Sequence, residues 1–152
     1  MTSNQTSPRK PSVLVICAGN TCRSPMAAAV LQQQVGSGVL VESAGVSATV
    51  GCKAAEHAVT LLSARGVDLG EHRSRHVDSI DLRSYDVVVA VEPRIALILR
   101  QRGVGAERIV TLTVNDPFHG SLDDYRTALM SIEQQVAGDS RLMRVLATAA
   151  QP

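Results

Sequence analysis

Aromatic residues make up only 2% of this 152-residue chain, and tryptophan is absent. Tyr85, Phe118 and Tyr125 are the whole set, so the core must be aliphatic and stacking platforms for single-stranded bases are missing. An excess of either charge is missing too. Fifteen Lys and Arg against fourteen Asp and Glu give a formal net charge of +1, too little for a protein that holds polyanions by releasing counterions. No nucleic-acid partner is expected. Apolar runs such as Val87 to Val91 fall far short of the ~20 residues of a membrane-spanning helix, so no membrane partner is expected either. Cysteine is sparse: Cys17, Cys22 and Cys52 make an odd total of three. With no signal-like start, that number argues against a disulfide scaffold and for a reducing, cytoplasmic setting.

What remains is a chain sized for one domain, 45% hydrophobic and 19% charged, as soluble globular proteins are. Residues 1–11 are polar, carry Pro8 and Pro11, and have no apolar segment. They read as a disordered tail rather than a secretory signal, leaving residues 12–150 as a single domain. Ser12 to Ile16 is a continuous β-branched and aliphatic run, the pattern of a strand buried on both faces of a parallel sheet. Ser24-Pro25 then offers an N-cap and a first-turn proline for a helix from Met26 to Val35, stopped by Gly36. The alternation repeats. Val39 to Ser43 predicts a strand and 54–65 a helix closed by Gly66. Val87 to Val91 predicts a third strand, 93–103 a helix opened by Pro93, and 108–112 a fourth strand. Ser121, with Asp123 and Asp124 behind it, caps a single long helix reaching about Ala149. The expected fold is α/β: a three-layer sandwich around a four-stranded parallel sheet in the order 2-1-3-4, with helices on both faces.

Ligands of such sheets bind beyond the carboxyl ends of the strands. Two loops reach that edge, the one starting at Cys17 and the one holding Asp116. The first runs Cys17-Ala18-Gly19-Asn20-Thr21-Cys22-Arg23-Ser24-Pro25, a thiol and a guanidinium wrapped between a buried strand and a helix start. A tight loop there turns successive N–H groups inward, and the helix adds the positive end of its dipole. Phosphate suits both. Gly19 and Asn20 tolerate the left-handed backbone that so tight a loop requires, and Arg23 has the fork to clamp two phosphate oxygens. The same positive field is expected to bring the Cys17 thiol well below its ordinary pKa. Ser24 is placed to donate a hydrogen bond to the resulting thiolate.

The stretch VICAGNTCRSPMA resembles the phosphate-loop signature of the low-molecular-weight protein tyrosine phosphatases. Further likenesses lie at Glu42-Ser43-Ala44-Gly45, Ala64-Arg65-Gly66-Val67, Arg73-Ser74-Arg75 and Asp116-Pro117-Phe118. The resemblance implies a cysteine-dependent phosphoprotein phosphatase acting on phosphotyrosine through a cysteinyl phosphate. Cys17 would be the nucleophile, Arg23 the phosphate clamp, and Asp116 the acid for the leaving group and then the base for water. Ala18, Gly19, Asn20, Thr21, Cys22 and Ser24 would line the phosphate site, with Phe118 at the substrate ring. Asp116 also suits its role by position, since a general acid must stand at the edge where the nucleophile stands. The implied partner is a phosphorylated protein, the expected oligomeric state a monomer or weak homodimer, and no cofactor or metal is implied. In the family the second loop cysteine forms a reversible disulfide with the first, which would make Cys22 the partner of Cys17. Glu92 departs from the Met-Asp pair the family often carries after the third strand.

Other residues get plainer expectations. Cys52 is structural, and His72, Arg73, Arg75 and His76 form a solvated basic loop. Tyr85 and Tyr125 serve packing and surface, and His119 stands at the pocket mouth or on the surface. The spacings of Cys17 with Cys22 and of Cys52 with His57 approach those of zinc ligands, but Arg23 would repel the cation.

The substrate side has two departures. Phosphotyrosine-directed members usually grip the ring with several aromatics, whereas this chain offers Phe118 alone, with His119 following it. Thr21 stands where such members carry a bulky aliphatic and where protein-arginine phosphatases carry threonine. Its hydroxyl has the capacity to accept a guanidinium N–H, so a protein-arginine phosphatase is the alternative. An arsenate reductase would need relay cysteines beyond Cys52, and there are none. A phosphate-binding module without catalysis is disfavoured by the complete set of Cys17, Arg23 and Asp116.

Overall fold

The computed structural model describes residues 10–149. It is an alternation of strands and helices: β1 (Ser12–Cys17), α1 (Arg23–Val35), β2 (Leu40–Gly45), α2 (Glu56–Ser63), β3 (Val87–Ala90), α3 (Pro93–Gln101), β4 (Ile109–Thr111), α4 (Leu122–Gly138) and α5 (Ser140–Ala149). All strand pairs are parallel, and the four strands lie in the order β2-β1-β3-β4, as expected. The expected tail falls outside the described residues up to residue 9. The Pro11 carbonyl accepts the Leu40 N–H at 2.8 Å.

The side-chain period of two splits β1 between two cores. Val13 and Val15 pack with Met26, Leu31 and Val30 of α1, Leu61 and Leu62 of α2, and Leu129 and Ile132 of α4. Leu14 and Ile16 face the other way, onto Ile95 and Leu99 of α3 and onto Val77, Leu82 and Tyr85 from short 3-10 turns. Every residue of β1 is buried. This explains the unbroken apolar run, because a central parallel strand has no face left for water.

Two boundaries depart from expectation, each for a local reason. Helix α1 begins at Arg23, one residue before Ser24, and the residue at its N-cap, Cys22, makes no side-chain capping bond. Ser24 has a different partner, given below. The expected single C-terminal helix is two. Asp139 breaks it in an extended conformation and its carboxylate accepts the Leu142 N–H at 2.7 Å, capping α5 in the way Ser121 caps α4 through a full capping box.

Candidate active site

Strand β1 ends by delivering Cys17 to the carboxyl edge of the sheet, and the chain then curls through residues 18–22 before α1 starts. Strand β2 grips the outside of this curl. The Val46 and Ser47 N–H groups donate to the carbonyls of Cys17 and Ala18 at 3.0 and 2.9 Å. A Cβ at Gly45 would stand 2.3 Å from the Ala18 oxygen, so only glycine lets the strand approach this closely. With the carbonyls used outward, the N–H groups of Ala18, Gly19, Thr21 and Cys22 donate to no other group among the described residues.

Asn20 sets the curve. It sits at φ 58°, in the left-handed region that asparagine adopts more readily than other side-chain-bearing residues, and it is completely buried. Its Oδ1 accepts the Arg75 backbone N–H at 2.8 Å. Since a backbone N–H only donates, that contact fixes the amide orientation, and Nδ2 donates to Ser24 Oγ at 2.8 Å and Ser43 Oγ at 2.9 Å. The Asn20 carbonyl accepts His72 Nε2–H at 2.7 Å. Burial, with help from Arg73 and Arg75, pushes the His72 pKa down, which keeps the ring neutral.

A direction for the proton at Cys17 follows. Ser24 Oγ already accepts from Asn20, so its hydroxyl hydrogen is free to point at Cys17 Sγ, 2.9 Å away. The Asn20 N–H donates to the same sulfur at 3.1 Å. Burial nonetheless pushes the Cys17 thiol above its ordinary value, against the downward pull of Ser24, the Asn20 N–H and Arg23. This corrects the expected depression of its pKa: donors built to hold a thiolate are present, but a nearly sealed sulfur pays more in lost hydration than they return.

Arg23 is 3% exposed. Its Nη1 donates to Glu92 Oε2 at 2.6 Å and to the Val114 carbonyl at 2.9 Å, while Nη2 lies 3.7 Å from Asp116 Oδ2. Glu92 thus aims the guanidinium from behind. Asp116 stands half exposed, with Oδ1 accepting the Phe118 N–H at 3.0 Å. These groups surround a pocket of about 230 Å³. All the residues expected there except Ser24 line it, and Ser47 joins them. Ser24 stands directly behind the sulfur.

Several participants were not foreseen. His72 and Arg75, expected in a solvated loop, brace the phosphate-type loop from outside, Arg75 also donating to the Ser43 carbonyl at 3.2 Å. Ser43 appeared only as part of a likeness. Tyr125 is buried, with its hydroxyl 3.2 Å from Cys22 Sγ and its ring edge-on to His57 at 5.2 Å. Burial, with Cys22 beside it, pushes its ionisation up, so it stays a phenol. Cys52 is exposed, and among the described residues only its backbone is hydrogen-bonded, to Ser74. Phe118 is exposed beside the pocket, its ring 4.0 Å from that of His119. No group of three or more His, Cys, Asp or Glu side chains suited to a metal ion occurs among the described residues.

Residues 12–146 match the family model described as low molecular weight phosphotyrosine protein phosphatase. A protein-arginine-phosphatase of Geobacillus stearothermophilus is 34% identical over 132 residues, covering 80% of this chain and 88% of that protein. Low molecular weight protein-tyrosine phosphatase A of Mycobacterium bovis is 35% identical over 155 residues, covering 87% and 94%. The crystal structure of the low molecular weight protein tyrosine phosphatase of T. tengcongensis superposes with a TM-score of 0.77 at 28% identity, covering 88% of this chain and 98% of that one.

Proposed function

Since the chain belongs to the low molecular weight phosphotyrosine protein phosphatase family, we propose that it hydrolyses phosphotyrosine in proteins, with Cys17, Arg23 and Asp116 as its reacting groups. The observation that carries this is the convergence, on one 230 Å³ pocket, of a nucleophilic sulfur, a fixed guanidinium, unpaired N–H groups and a carboxylate.

The phosphoryl oxygens take the N–H groups of the loop and the Arg23 fork, in line with the positive end of α1. A substrate dianion meeting the Cys17 thiol has the same proton count as a monoanion meeting a thiolate, so the buried thiol gives its proton to a phosphoryl oxygen as the phosphate enters. Sulfur then attacks phosphorus and the bond to the leaving oxygen breaks. Asp116 supplies the proton that oxygen needs. In the second step a water adds to phosphorus, Asp116 takes its proton, and the S–P bond breaks. The departing sulfur is received by the Ser24 hydroxyl and the Asn20 N–H. Donors preset at the place where charge develops need no reorganisation during the step.

Thr21 favours a second reading, hydrolysis of phosphoarginine. It lines the pocket, its hydroxyl 3.6 Å from Cys22 Sγ, and by resemblance threonine is what the arginine-directed branch carries at this place. A pocket hydroxyl that accepts a substrate N–H discriminates strongly against an analogue lacking it. Free, unpaired cysteines, the nucleophile among them, support a reducing, cytoplasmic setting. Among the described residues no helix is long and apolar enough to cross a membrane.

The deciding experiment is hydrolysis of phosphotyrosine and phosphoarginine peptides side by side, with Cys17→Ser as control. Faster Cys17-dependent turnover of phosphotyrosine is the expected result. Preference for phosphoarginine, lost in Thr21→Ile, would move the protein to the second reading. No Cys17-dependent turnover of either would overturn both.

A further inference from the structure

The catalytic pocket has a neighbour. Asp116 and Phe118 also line a second cavity of about 400 Å³, held between residues 113–120 and the exposed side of α4. The two cavities share a wall and are electrically opposite. The first is built around Arg23 and inward N–H groups. The second carries the Asp116 and Asp124 carboxylates, the Asn115 amide and the hydroxyls of Thr127 and Ser131, with His119 as its one basic side chain and no lysine or arginine in its lining.

Much of this acceptor capacity is unspent. Among the described residues Asp124 commits only Oδ2, to the Ser121 N–H at 2.9 Å. The Asn115 and Thr127 side chains make no hydrogen bond to any described residue. The positive end of α4, which would otherwise offset the carboxylates, is already answered by its capping box. Along one wall the exposed Phe118 ring and Pro117 offer apolar surface. A long stem ending in a cation suits such a groove, with methylenes over the ring and the charged head among the acceptors.

We propose that this cavity receives a lysine or arginine side chain adjoining the phosphorylated residue of the protein substrate, a specificity subsite that rests on the phosphatase reading above. A substrate whose phosphate is seated on the loop passes Asp116 and Phe118 to leave the pocket, and the next side chain on that side enters the groove. An acidic residue there faces the Asp124 carboxylate, which pairs with no lysine or arginine among the described residues, whereas Asp116 has Arg23 at 3.7 Å.

The test uses phosphopeptides alike except for Lys, Ala or Glu flanking the phosphorylated residue, with kcat and KM measured on the unaltered protein. The expected order is Lys above Ala above Glu in kcat/KM, about fivefold from end to end for partly exposed charge pairs, carried mainly by KM and shrinking as salt is raised. Asp124→Asn should narrow the spread, and Thr127→Lys should invert it; thermal unfolding of each variant checks that it folds. Should either variant fail to fold, the peptide series and its salt dependence on the unaltered protein still decide. Equal rates for the three peptides, or a preference for Glu, with turnover still dependent on Cys17, would overturn the subsite and leave the phosphatase reading standing. No Cys17-dependent turnover of any peptide would remove both.

Discussion

Replacing Asn20 by Ala and, separately, by Gly divides what that residue does into backbone and side-chain parts. Both variants lose the amide bonds to Ser24, Ser43 and the Arg75 N–H. At about 1 kcal/mol for each of these buried bonds, the Gly variant should lose about 3 kcal/mol. Alanine adds a second cost, because its Cβ must sit at φ 58°, worth about 1–2 kcal/mol more. For a domain of this size, ~2–4 °C of melting temperature corresponds to each kcal/mol. Asn20→Gly should therefore melt ~6–12 °C lower, and Asn20→Ala a further ~2–8 °C. Activity should follow a different rule. In both variants the Ser24 hydroxyl loses the donor that turns its hydrogen toward Cys17, so kcat should fall by about tenfold or more in each, in step with the weakening of a hydrogen bond to a charged sulfur. Thermal melts and initial rates on one aryl phosphate suffice. Equal melting of the Ala and Gly variants would refute the backbone account, and unchanged kcat in both would refute the proton direction assigned at Ser24.

Gly45→Ala places a methyl carbon 2.3 Å from the Ala18 oxygen and 3.0 Å from the Asn20 nitrogen; the loop must move, with an expected loss of ~1–3 kcal/mol and a larger proportional loss in kcat/KM than in stability, read from urea melts beside steady-state rates. Arg23→Lys keeps the charge but not the fork that reaches Glu92, the Val114 carbonyl and phosphate together, so kcat/KM should fall by about 10²-fold or more; a loss under threefold would mean that charge alone suffices. The His72 pKa is lowered in the folded state, so as pH falls through its unfolded value the unfolded chain takes up a proton that the native chain refuses, and stability drops. His72→Gln, whose amide can still donate to the Asn20 carbonyl, should flatten that slope when urea midpoints at pH 7.5 and pH 5.5 are compared; an unchanged slope would place the proton uptake elsewhere.

Legibility from sequence followed the range of the interactions involved. The run from Ser12 to Ile16 announced a central strand because its burial on both faces leaves no polar alternation. The loop that follows was readable because nucleophile, clamp and helix start are contiguous, and Asp116 because strand order alone brings its loop to the same edge. His72 and Arg75 were not readable. Among other basic residues they look like a solvated stretch, and only the fold carries them across more than fifty positions to Asn20. Ser24 carries two readings: a serine before a proline has the form of a helix cap, which it does not provide because α1 already starts at Arg23, while its reading as a donor to the loop sulfur agrees with the 2.9 Å contact to Cys17 seven residues earlier. The break at Asp139 did carry a signal, since Gly138-Asp139-Ser140 ends one helix and caps another, but the apolar pattern runs on across it. The thiol pKa was misjudged because composition reveals neighbouring charge, while burial emerges only from packing.

The braces of the Cys17 loop also give its chemistry a birth order. Residues 17–24 leave the ribosome early, yet Ser43, Gly45, His72 and Arg75, which hold Asn20 and the loop in shape, emerge later. A nascent chain halted before residue 72 carries the entire cysteine-to-arginine signature without the scaffold that curves it. Affinity for an oxyanion should therefore rise in two stages, first as the segment through residue 75 becomes free to curve the loop, then as Glu92 and the Val114 carbonyl emerge to fix the Arg23 clamp. Stalled chains of increasing length, probed with vanadate, would turn that interval into a clock for when this sheet edge assembles.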